Sequence, residues 1–320
     1  MVESKQHWKA WLYLSPAIIL LLVFTVYPII NTLYMAFANG YGMLSAAGGQ
    51  KFTFGIENFK RVMEWGGFLT AMKNTLLLCV LTVPISTILA LLIAVILNSI
   101  GPLRRVLQTI YFLPYVTNSI AIGMVFAAMF NITGSFLGSE NEVVYTAGII
   151  NNVIEFFGGT KVNWINAGSS YWANIFVLVV YIVWNALPFK ILILLGGLQS
   201  VNKQYYDAAK IDGTGKFRTL TRITVPLLSP LIAYIVITGF IGGFKEYSNV
   251  VGVFGETMGP IGDKGRLNTM VGYIYDNVAG KLPNNQGKAA AAALILFVII
   301  LAVTLINLYV SKKKVHYLGD

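Results

Sequence analysis

The sequence predicts an all-α membrane protein with six transmembrane helices. Of its 320 residues, 56% are hydrophobic and 11% are charged, and the mean hydropathy is +0.69. Soluble domains carry about 25% charged residues on average, so this composition excludes a soluble globule. A helix crosses a bilayer with about 20 apolar residues. Six stretches meet this requirement: residues 11–37, 76–97, 106–130, 172–198, 227–244 and 289–310.

The first apolar stretch follows Lys5 and Lys9 and therefore resembles a secretory signal peptide. The apolar region of a signal peptide spans about 7 to 15 residues, and this stretch is longer. We expect it to be retained as the first transmembrane helix. The chain is accordingly interpreted as a single transmembrane domain over residues 1–320.

The positive charges are distributed unevenly between the two sets of connections that six spans create. One set holds twelve Lys and Arg against four Asp and Glu, and the other holds nine against eight. Short basic connections mark the cytoplasmic face. The basic set is therefore predicted to be cytoplasmic, together with both termini: residues 1–10, 98–105, 199–226 and 311–320. This topology accounts for most of the net charge of +10, so no nucleic-acid partner is predicted.

Metal and disulfide chemistry lack the residues that they require. Cys79 is the single cysteine, and His7 and His316 are the two histidines of the chain. They form no cluster with the spacing of metal ligands, and one cysteine cannot form an internal disulfide. We therefore predict no metal site.

A possible nucleotide site is also excluded. Residues 213–216 read GTGK and resemble the end of a phosphate-binding loop, whose full pattern is G-x-x-x-x-G-K-[ST]. Lys210 and Phe217 occupy the first and last positions of that pattern, and no buried strand precedes it. Hydrolase motifs are absent as well. The chain is predicted not to be an enzyme, to have no catalytic residues and to bind no cofactor itself.

The three outward connections are longer than a simple connection requires. Residues 131–171 are rich in Gly, Asn, Ser and aromatic residues, and a short helix is predicted between Gly148 and Phe157. Long ordered loops are commonly functional. The chain shows no internal repeat, so the inverted-repeat pattern of many secondary carriers is not supported.

The cytoplasmic connection between the fourth and fifth spans is predicted to form two short helices around a hinge. Asn202 can cap the first helix, and Gly213 permits its termination. The second helix would run from about Gly215 to Thr224. Pro226 and Pro230 would then redirect the chain into the fifth span.

This connection closely resembles the coupling motif of binding-protein-dependent ABC importer permeases. The family pattern reads E-A-A-x-x-D-G-A, followed by F, I and a pair of prolines. The matching residues are Ala208, Ala209, Asp212, Gly213, Ile223, Pro226 and Pro230. Three residues differ from the pattern, namely Asp207 for Glu, Thr214 for Ala and Leu220 for Phe.

Other stretches extend the resemblance to the carbohydrate-uptake branch, of the MalF and UgpA type. They are residues 14–37, 54–78 and 104–116, and GGLQSV before the coupling motif. The resemblance implies the type I importer permease fold in a prokaryotic cytoplasmic membrane, with contact to membrane lipid. It also implies a second homologous permease, two cytoplasmic ATPase subunits that bind ATP and Mg, and an extracytoplasmic solute-binding protein. The residues expected to couple to the ATPase are Asp207, Ala208, Ala209, Asp212, Gly213 and Pro226.

The resemblance further implies that substrate is contacted by the spans that flank the coupling motif. The expected substrate-path residues are Asn185, Phe189 and Lys190 on the fourth span, near Pro188, and Gly243, Glu246 and Tyr247 on the fifth. Charged groups at membrane depth usually line a cavity or pair with another group. As alternatives, Lys190 and Lys245 could snorkel to the membrane surface, and the glycines could serve close helix packing.

The expected function is that of a sugar permease subunit that works by alternating access and is driven by separate ATPase subunits. Two alternatives remain at this point. One is an importer of a sugar-phosphate or polyol of the glycerol-phosphate type, and the other is a secondary carrier.

Overall fold

The computed structural model describes residues 7–64, 66–100, 104–132, 135–137, 143–145, 147–279 and 285–314. Its helices are α1 (His7–Leu21), α2 (Tyr27–Phe37), α3 (Met43–Ala47), α4 (Glu57–Glu64), α5 (Gly66–Ser99), α6 (Arg104–Val116), α7 (Ser119–Phe130), α8 (Ile149–Phe156), α9 (Tyr171–Ser200), α10 (Lys203–Ile211), α11 (Lys216–Thr219), α12 (Val225–Leu227), α13 (Ser229–Phe244), α14 (Ser248–Phe254), α15 (Met270–Ala279) and α16 (Asn285–Lys314). Leu22–Val26 and Leu220–Thr224 are π-helical. Strands β1 (Ser135–Leu137) and β2 (Val143–Tyr145) pair antiparallel, with Phe136 opposite Val144. Lys5, His316 and Asp320 lie outside the described residues.

Four helices in the described part of the chain are long and apolar enough to cross a membrane. They are Trp8–Phe37, Gly66–Ser99, Tyr171–Ser200 and Asn285–Lys313. A further candidate is a bent pair, Lys216–Leu227 and Ser229–Phe244, whose axes differ by 73°. The first, second, fourth and sixth predicted spans are therefore confirmed as long helices, and the fifth is present as the apolar arm of the bent pair.

The third predicted span is not one continuous helix. Residues 106–130 are divided between α6 and α7 by a break at Thr117 and Asn118. Asn118 has an extended backbone, with φ −64° and ψ 122°, and its side chain accepts a hydrogen bond from Ile120 N. An asparagine in this conformation caps a new helix. The prediction of one uninterrupted helix was therefore wrong, because a capping residue lies within the apolar run.

The chain divides into two compact units. The first comprises Met1–Phe68 and Tyr273–Phe297, and the second Leu69–Gly272 and Val298–Asp320. In the first unit, the fully buried Asn58 at the start of α4 donates hydrogen bonds to Ala36 O (3.0 Å) and Ala38 O (2.8 Å). This side chain satisfies carbonyl groups that are left without a helical partner where α2 ends.

Two hydrophobic clusters lie among the described residues of the second unit. The Tyr181 cluster comprises Leu78, Phe130, Ile175, Val177, Leu178, Tyr181, Ile182, Val250, Val253, Phe254, Met258 and Leu267. The Leu194 cluster comprises Ala90, Ala94, Leu97, Ile191, Leu194, Leu195, Leu198, Leu228 and Ile235. α5 and α9 each supply residues to both clusters, so the two apolar layers follow each other along the same helices.

Two close contacts at glycines shape this second unit. A Cβ placed on Gly123 of α7 would lie 2.5 Å from the Cα of Gly252 on α14, so these helices cross with their backbones in contact. A Cβ on Gly197 of α9 would lie 2.9 Å from Leu228 Cδ2 and would also meet Leu231 Cδ1. Gly197 therefore forms a notch that receives the side chains at the start of α13.

Candidate functional site

A polar layer separates the two hydrophobic clusters of the second unit. On α9 it holds Asn185 and Lys190, between Ile182 of the Tyr181 cluster and Ile191 of the Leu194 cluster. On α5 it holds Thr82 and Ser86, which lie between cluster residues in the same way. Polar groups in an apolar span are costly unless they are hydrogen-bonded or line a cavity.

A cavity of about 320 Å³ lies in this polar layer. It is lined by Thr82, Val83, Ser86, Tyr115, Ile182, Asn185, Ala186, Phe189, Lys190, Ile235, Thr238, Gly239, Gly242, Gly243, Glu246 and Asn249. Five of the six substrate-path residues expected from the sequence thus surround a single space, namely Asn185, Phe189, Lys190, Gly243 and Glu246. The volume falls at the lower end of the range of about 300 to 1,000 Å³ for small-molecule sites.

Lys190 is buried and joins α9 to α5. Its Nζ donates hydrogen bonds to Ser86 Oγ (2.7 Å), Thr87 Oγ1 (3.0 Å) and Val83 O (3.3 Å). Its side chain is 5% exposed, so the snorkelling alternative does not describe its position. Since an ammonium group has three donors, these three acceptors satisfy all of them.

Glu246, Asn249 and Asn185 form a hydrogen-bonded chain along the cavity wall. Asn249 N donates to Glu246 Oε1 (3.1 Å), and Asn249 Nδ2 donates to Glu246 Oε2 (2.9 Å). Asn185 Nδ2 in turn donates to Asn249 Oδ1 (2.8 Å). The chain connects α9 with the junction between α13 and α14.

Two aromatic rings complete the wall of the cavity. Tyr115 at the end of α6 stacks on Phe189 of α9, with ring centroids 5.8 Å apart and planes inclined by 17°. Phe112 packs beside Tyr115, with ring centroids 5.3 Å apart. The cavity therefore combines flat apolar faces with hydrogen-bonding groups, which is the usual composition of a small-molecule site.

Gly243 and Tyr247 differ from the other expected residues. A Cβ on Gly243 would lie 2.8 Å from Cys79 Sγ, so this glycine permits close packing of α13 on α5 in addition to lining the cavity. Tyr247 does not line the cavity and packs against the Tyr181 cluster.

The sequence reasoning missed the contributions of three other elements to the cavity. Thr82 and Ser86 of α5, Tyr115 of α6 and Asn249 of α14 all line it. The hydroxyl groups at positions 82 and 86 are one helical turn apart within an apolar run, and this spacing is a signal that they share a helix face. Neither Tyr115 nor Asn249 carries a comparable local signal.

The residues expected to couple to the ATPase lie in a separate region of the second unit, where the predicted cap and stop of α10 are confirmed. Asn202 Oδ1 accepts from Gln204 N at the start of the helix. At its end Gly213 has φ +65°, Gly213 N donates to Lys210 O (3.1 Å), and Thr214 N donates to Ala209 O (2.9 Å). This pair of hydrogen bonds is a Schellman motif, which requires the left-handed conformation that glycine adopts readily.

The second predicted helix of this region runs further than expected, from Lys216 through a π-helical segment to Leu227. Tyr206 Oη of α10 lies 3.3 Å from Thr224 Oγ1, and this contact joins the second helix to α10. Asp207 and Lys210 form an exposed ion pair at 3.2 Å.

The other expected coupling residues vary in exposure. Ala208, Asp212 and Gly213 are exposed, Pro226 is half-buried, and Ala209 is buried. No group of three or more His, Cys, Asp and Glu side chains among the described residues is placed to hold a metal ion.

The chain is similar in sequence to known transport permease proteins. The chain is 28% identical over 311 residues to the lactose transport system permease protein LacF of Rhizobium radiobacter, covering 96% of this chain and 95% of that protein. It is 32% identical over 305 residues to the arabinooligosaccharides transport system permease protein AraP of Halalkalibacterium halodurans, covering 94% and 87%.

The fold is shared with a solved structure. A chain in the crystal structure of a bacterial ABC transporter involved in the import of the acidic polysaccharide alginate superposes with a TM-score of 0.75 at 21% identity, covering 97% of this chain and 96% of that one. The family described as binding-protein-dependent transport system inner membrane component matches residues 83–316, which is more than half of the sequence. The chain therefore belongs to the family of binding-protein-dependent transport system inner membrane components.

Proposed function

We propose that this chain is a permease subunit of an ATP-driven importer and forms half of the translocation path for a mono- or oligosaccharide. The observation that carries the proposal is the cavity in the polar layer, where Asn185 and Glu246 face the same space as the stacked rings of Tyr115 and Phe189. Sugars present hydroxyl groups at their edges and apolar C–H faces, and such a cavity can accommodate both. The sugar-transport names of LacF and AraP support the same substrate class.

The proposed topology has six spans with both termini on the cytoplasmic side of a prokaryotic inner membrane. α6 and α7 together form the third span, broken at Asn118, and α13 with its bent cytoplasmic arm forms the fifth. The excess of Lys and Arg in the short connections supports this orientation. The coupling region then lies in the cytoplasm.

The proposed partners are a second related permease, two cytoplasmic ATPase subunits and an extracytoplasmic solute-binding protein. The family description as binding-protein-dependent supports the last of these. Ile211 and Phe217 in the coupling region are 87% and 78% exposed, and large exposed apolar groups in one region are typical of an interaction surface. ATP and Mg would be bound by the ATPase subunits and not by this chain.

In the proposed mechanism, the coupling region docks on the ATPase and converts closure of the ATPase dimer into rigid-body movement of the helices. The cavity would then alternate between access from inside and access from outside. The Schellman turn at Gly213 and the contact between Tyr206 and Thr224 support transmission of force, because they hold the two cytoplasmic helices in a defined relation.

The geometry favours an uncharged sugar over a sugar-phosphate. A phosphate would need free donors, and Lys190 is the cation that lines the cavity, yet its three N–H groups are donated to α5. A secondary carrier would need an ion-binding or proton-exchanging group. Glu246, the carboxylate that lines the cavity, is instead held by two hydrogen bonds from Asn249. This engagement favours an importer over a secondary carrier.

Gly213→Val and Asp207→Lys are expected to leave the chain inserted in the membrane and to weaken ATPase association and sugar transport. The φ of +65° at Gly213 costs a residue with a Cβ about 1 to 2 kcal/mol, equivalent to roughly a tenfold loss of association. Asp207→Lys reverses a charge on the same surface. Co-purification of the ATPase and sugar uptake are the measurements.

Gly215→Val is the matched control for the coupling variants. Gly215 has φ −67° and open space around its Cα, so valine is accommodated without strain. If Gly213→Val and Asp207→Lys retain wild-type association and uptake, the region is a connector and not a coupling surface.

Asn185→Leu is expected to raise the half-saturation concentration for sugar uptake about tenfold, because it removes a ligand contact and leaves Asn249 Oδ1 without its donor. Glu246→Gln should produce a smaller rise, since an amide preserves the shape of the carboxylate. Uptake into vesicles that contain the assembled importer is the measurement. Asn307→Leu, on α16 and outside the cavity lining, is the control. Unchanged uptake kinetics in both cavity variants would contradict this placement of the site.

A further inference from the structure

The hydrogen-bonded chain from Glu246 through Asn249 to Asn185 has a fixed direction. Both oxygens of Glu246 accept hydrogen bonds from Asn249. A carboxylate is an acceptor only, so Asn249 must turn its Nδ2 toward Glu246 and its Oδ1 toward Asn185. Asn185 must then present its own Nδ2 to Asn249, as observed at 2.8 Å.

This direction determines what Asn185 offers to a ligand. In the described part of the chain, the side chain of Asn185 makes this one hydrogen bond, through Nδ2. Nδ2 keeps one further N–H, and the amide atom left without any hydrogen bond is Oδ1, which turns away from Asn249 and can accept but not donate. Glu246 thus acts on Asn185 indirectly, because it fixes the orientation of the Asn249 amide that lies between them.

We propose that Glu246 is a positioning residue that fixes Asn185 as a hydrogen-bond acceptor, so that the site selects a saccharide whose hydroxyl group donates a hydrogen bond at this position. The inference rests on the proposed function, because it assumes that a sugar occupies the cavity. It predicts a specificity that a purely structural role of Glu246 would not produce, since the polarity of the contact between Asn185 and the ligand depends on the acceptors that Glu246 presents to Asn249.

Glu246→Gln should reverse the polarity of the chain. The glutamine Oε1 still accepts from Asn249 N, and its Nε2 then needs an acceptor, which Asn249 provides by turning its Oδ1 toward position 246. Asn249 Nδ2 would then face Asn185, and Asn185 would offer Nδ2 to the ligand instead of Oδ1. A ligand group that accepts but cannot donate should consequently be tolerated at this position.

The test uses monodeoxyfluoro sugars, in which fluorine replaces one hydroxyl group with a smaller atom that cannot donate. The assembled importer in vesicles takes up radiolabelled maltose, lactose or arabinotriose, and each fluoro analogue competes in turn. Wild-type protein should disfavour fluorine at one ring position by about fivefold, the factor that one net hydrogen bond supplies. In Glu246→Gln this discrimination should fall to within about twofold, with a modest loss of affinity for the parent sugar.

A double variant provides the rescue. In Glu246→Gln with Asn249→Asp, the new carboxylate at 249 accepts both from the glutamine Nε2 and from Asn185 Nδ2, so the original direction is restored. Discrimination against the fluoro analogue should return to about fivefold. Glu256→Gln, which neutralises an exposed carboxylate that does not line the cavity, is the matched control and should behave as wild type.

The outcomes separate the inference from the proposed function. If Asn185→Leu impairs uptake while Glu246→Gln keeps the full discrimination, or if the double variant fails to restore it, the relay is wrong and the site stands. If Asn185→Leu has no effect on uptake, the placement of the sugar in this cavity is overturned and the inference with it.

Discussion

Gly123→Val is expected to prevent stable assembly of the second unit. A Cβ at this position would lie 2.5 Å from Gly252 Cα and 2.7 Å from Gly252 C, both of which are backbone atoms that cannot rotate away. Overpacking of a core costs about 1 to 3 kcal/mol when side chains can adjust, and here α7 and α14 would have to separate. We expect a loss of about 3 kcal/mol or more in the free energy of unfolding, which is a large part of the stability of a typical protein.

The amount of protein in the membrane and its thermal unfolding in detergent are the measurements for Gly123→Val. Gly196→Ala is the control, since it also adds a Cβ to a helical glycine of the same unit and has no neighbouring atom within 4 Å. Wild-type stability of Gly123→Val would show that α7 and α14 do not cross with their backbones in contact.

Removing the acceptors of Lys190 is expected to destabilise the chain more than removing Lys190 itself. Ser86→Ala with Thr87→Val leaves the buried ammonium with one partner, Val83 O at 3.3 Å. Each hydrogen bond to a charged group contributes about 1.5 to 3 kcal/mol, so the double variant should lose about 3 kcal/mol in the free energy of unfolding. The lysine also becomes a buried charge without sufficient partners, which is costly in itself.

Adding Lys190→Met to the double variant should recover most of that loss. The methionine is apolar and of similar length, so it removes the buried charge and keeps the packing of the side chain. Thermal unfolding of the detergent-solubilised chain measures both steps. Thr238→Val is the control, since this hydroxyl bonds to Tyr234 O of its own helix and not to the lysine. A triple variant no more stable than the double variant would show that the hydroxyl groups stabilise the helices independently of Lys190.

Local signals allowed the segment that follows α9 to be predicted closely. The cap at Asn202 and the stop at Gly213 depend on residues within a few positions of each other, and both lie where the sequence placed them. The break in the third span escaped prediction for the opposite reason. Asn118 lies between Thr117 and Ser119 in an otherwise apolar run, and the choice between capping a helix and continuing one depends on tertiary packing.

The cavity was predictable where a polar residue is unusual for its surroundings. Asn185, Lys190 and Glu246 stand out in apolar spans, and all three line the cavity. Asn249 escaped notice because it follows the fifth span and its partners are fixed by three-dimensional contact. The partners of Lys190 on α5 were missed for a related reason, since Ser and Thr hydroxyl groups commonly bond to their own helix and give no sign of a partner elsewhere.

The 73° bend between the helix Lys216–Leu227 and α13 has a mechanical consequence. Leu228 lies at the apex of the bend, is 1% exposed and rests in the notch that Gly197 leaves on α9. The helix Lys216–Leu227 and α13 meet at this packed leucine at a steep angle. A push on Lys216–Leu227 would therefore reach α13 mainly as a sideways rotation about Leu228. Gly239 and Gly243 allow α13 to lie close to α5. A small displacement of Lys216–Leu227 would therefore be enough to change the width of the space between α13 and α5.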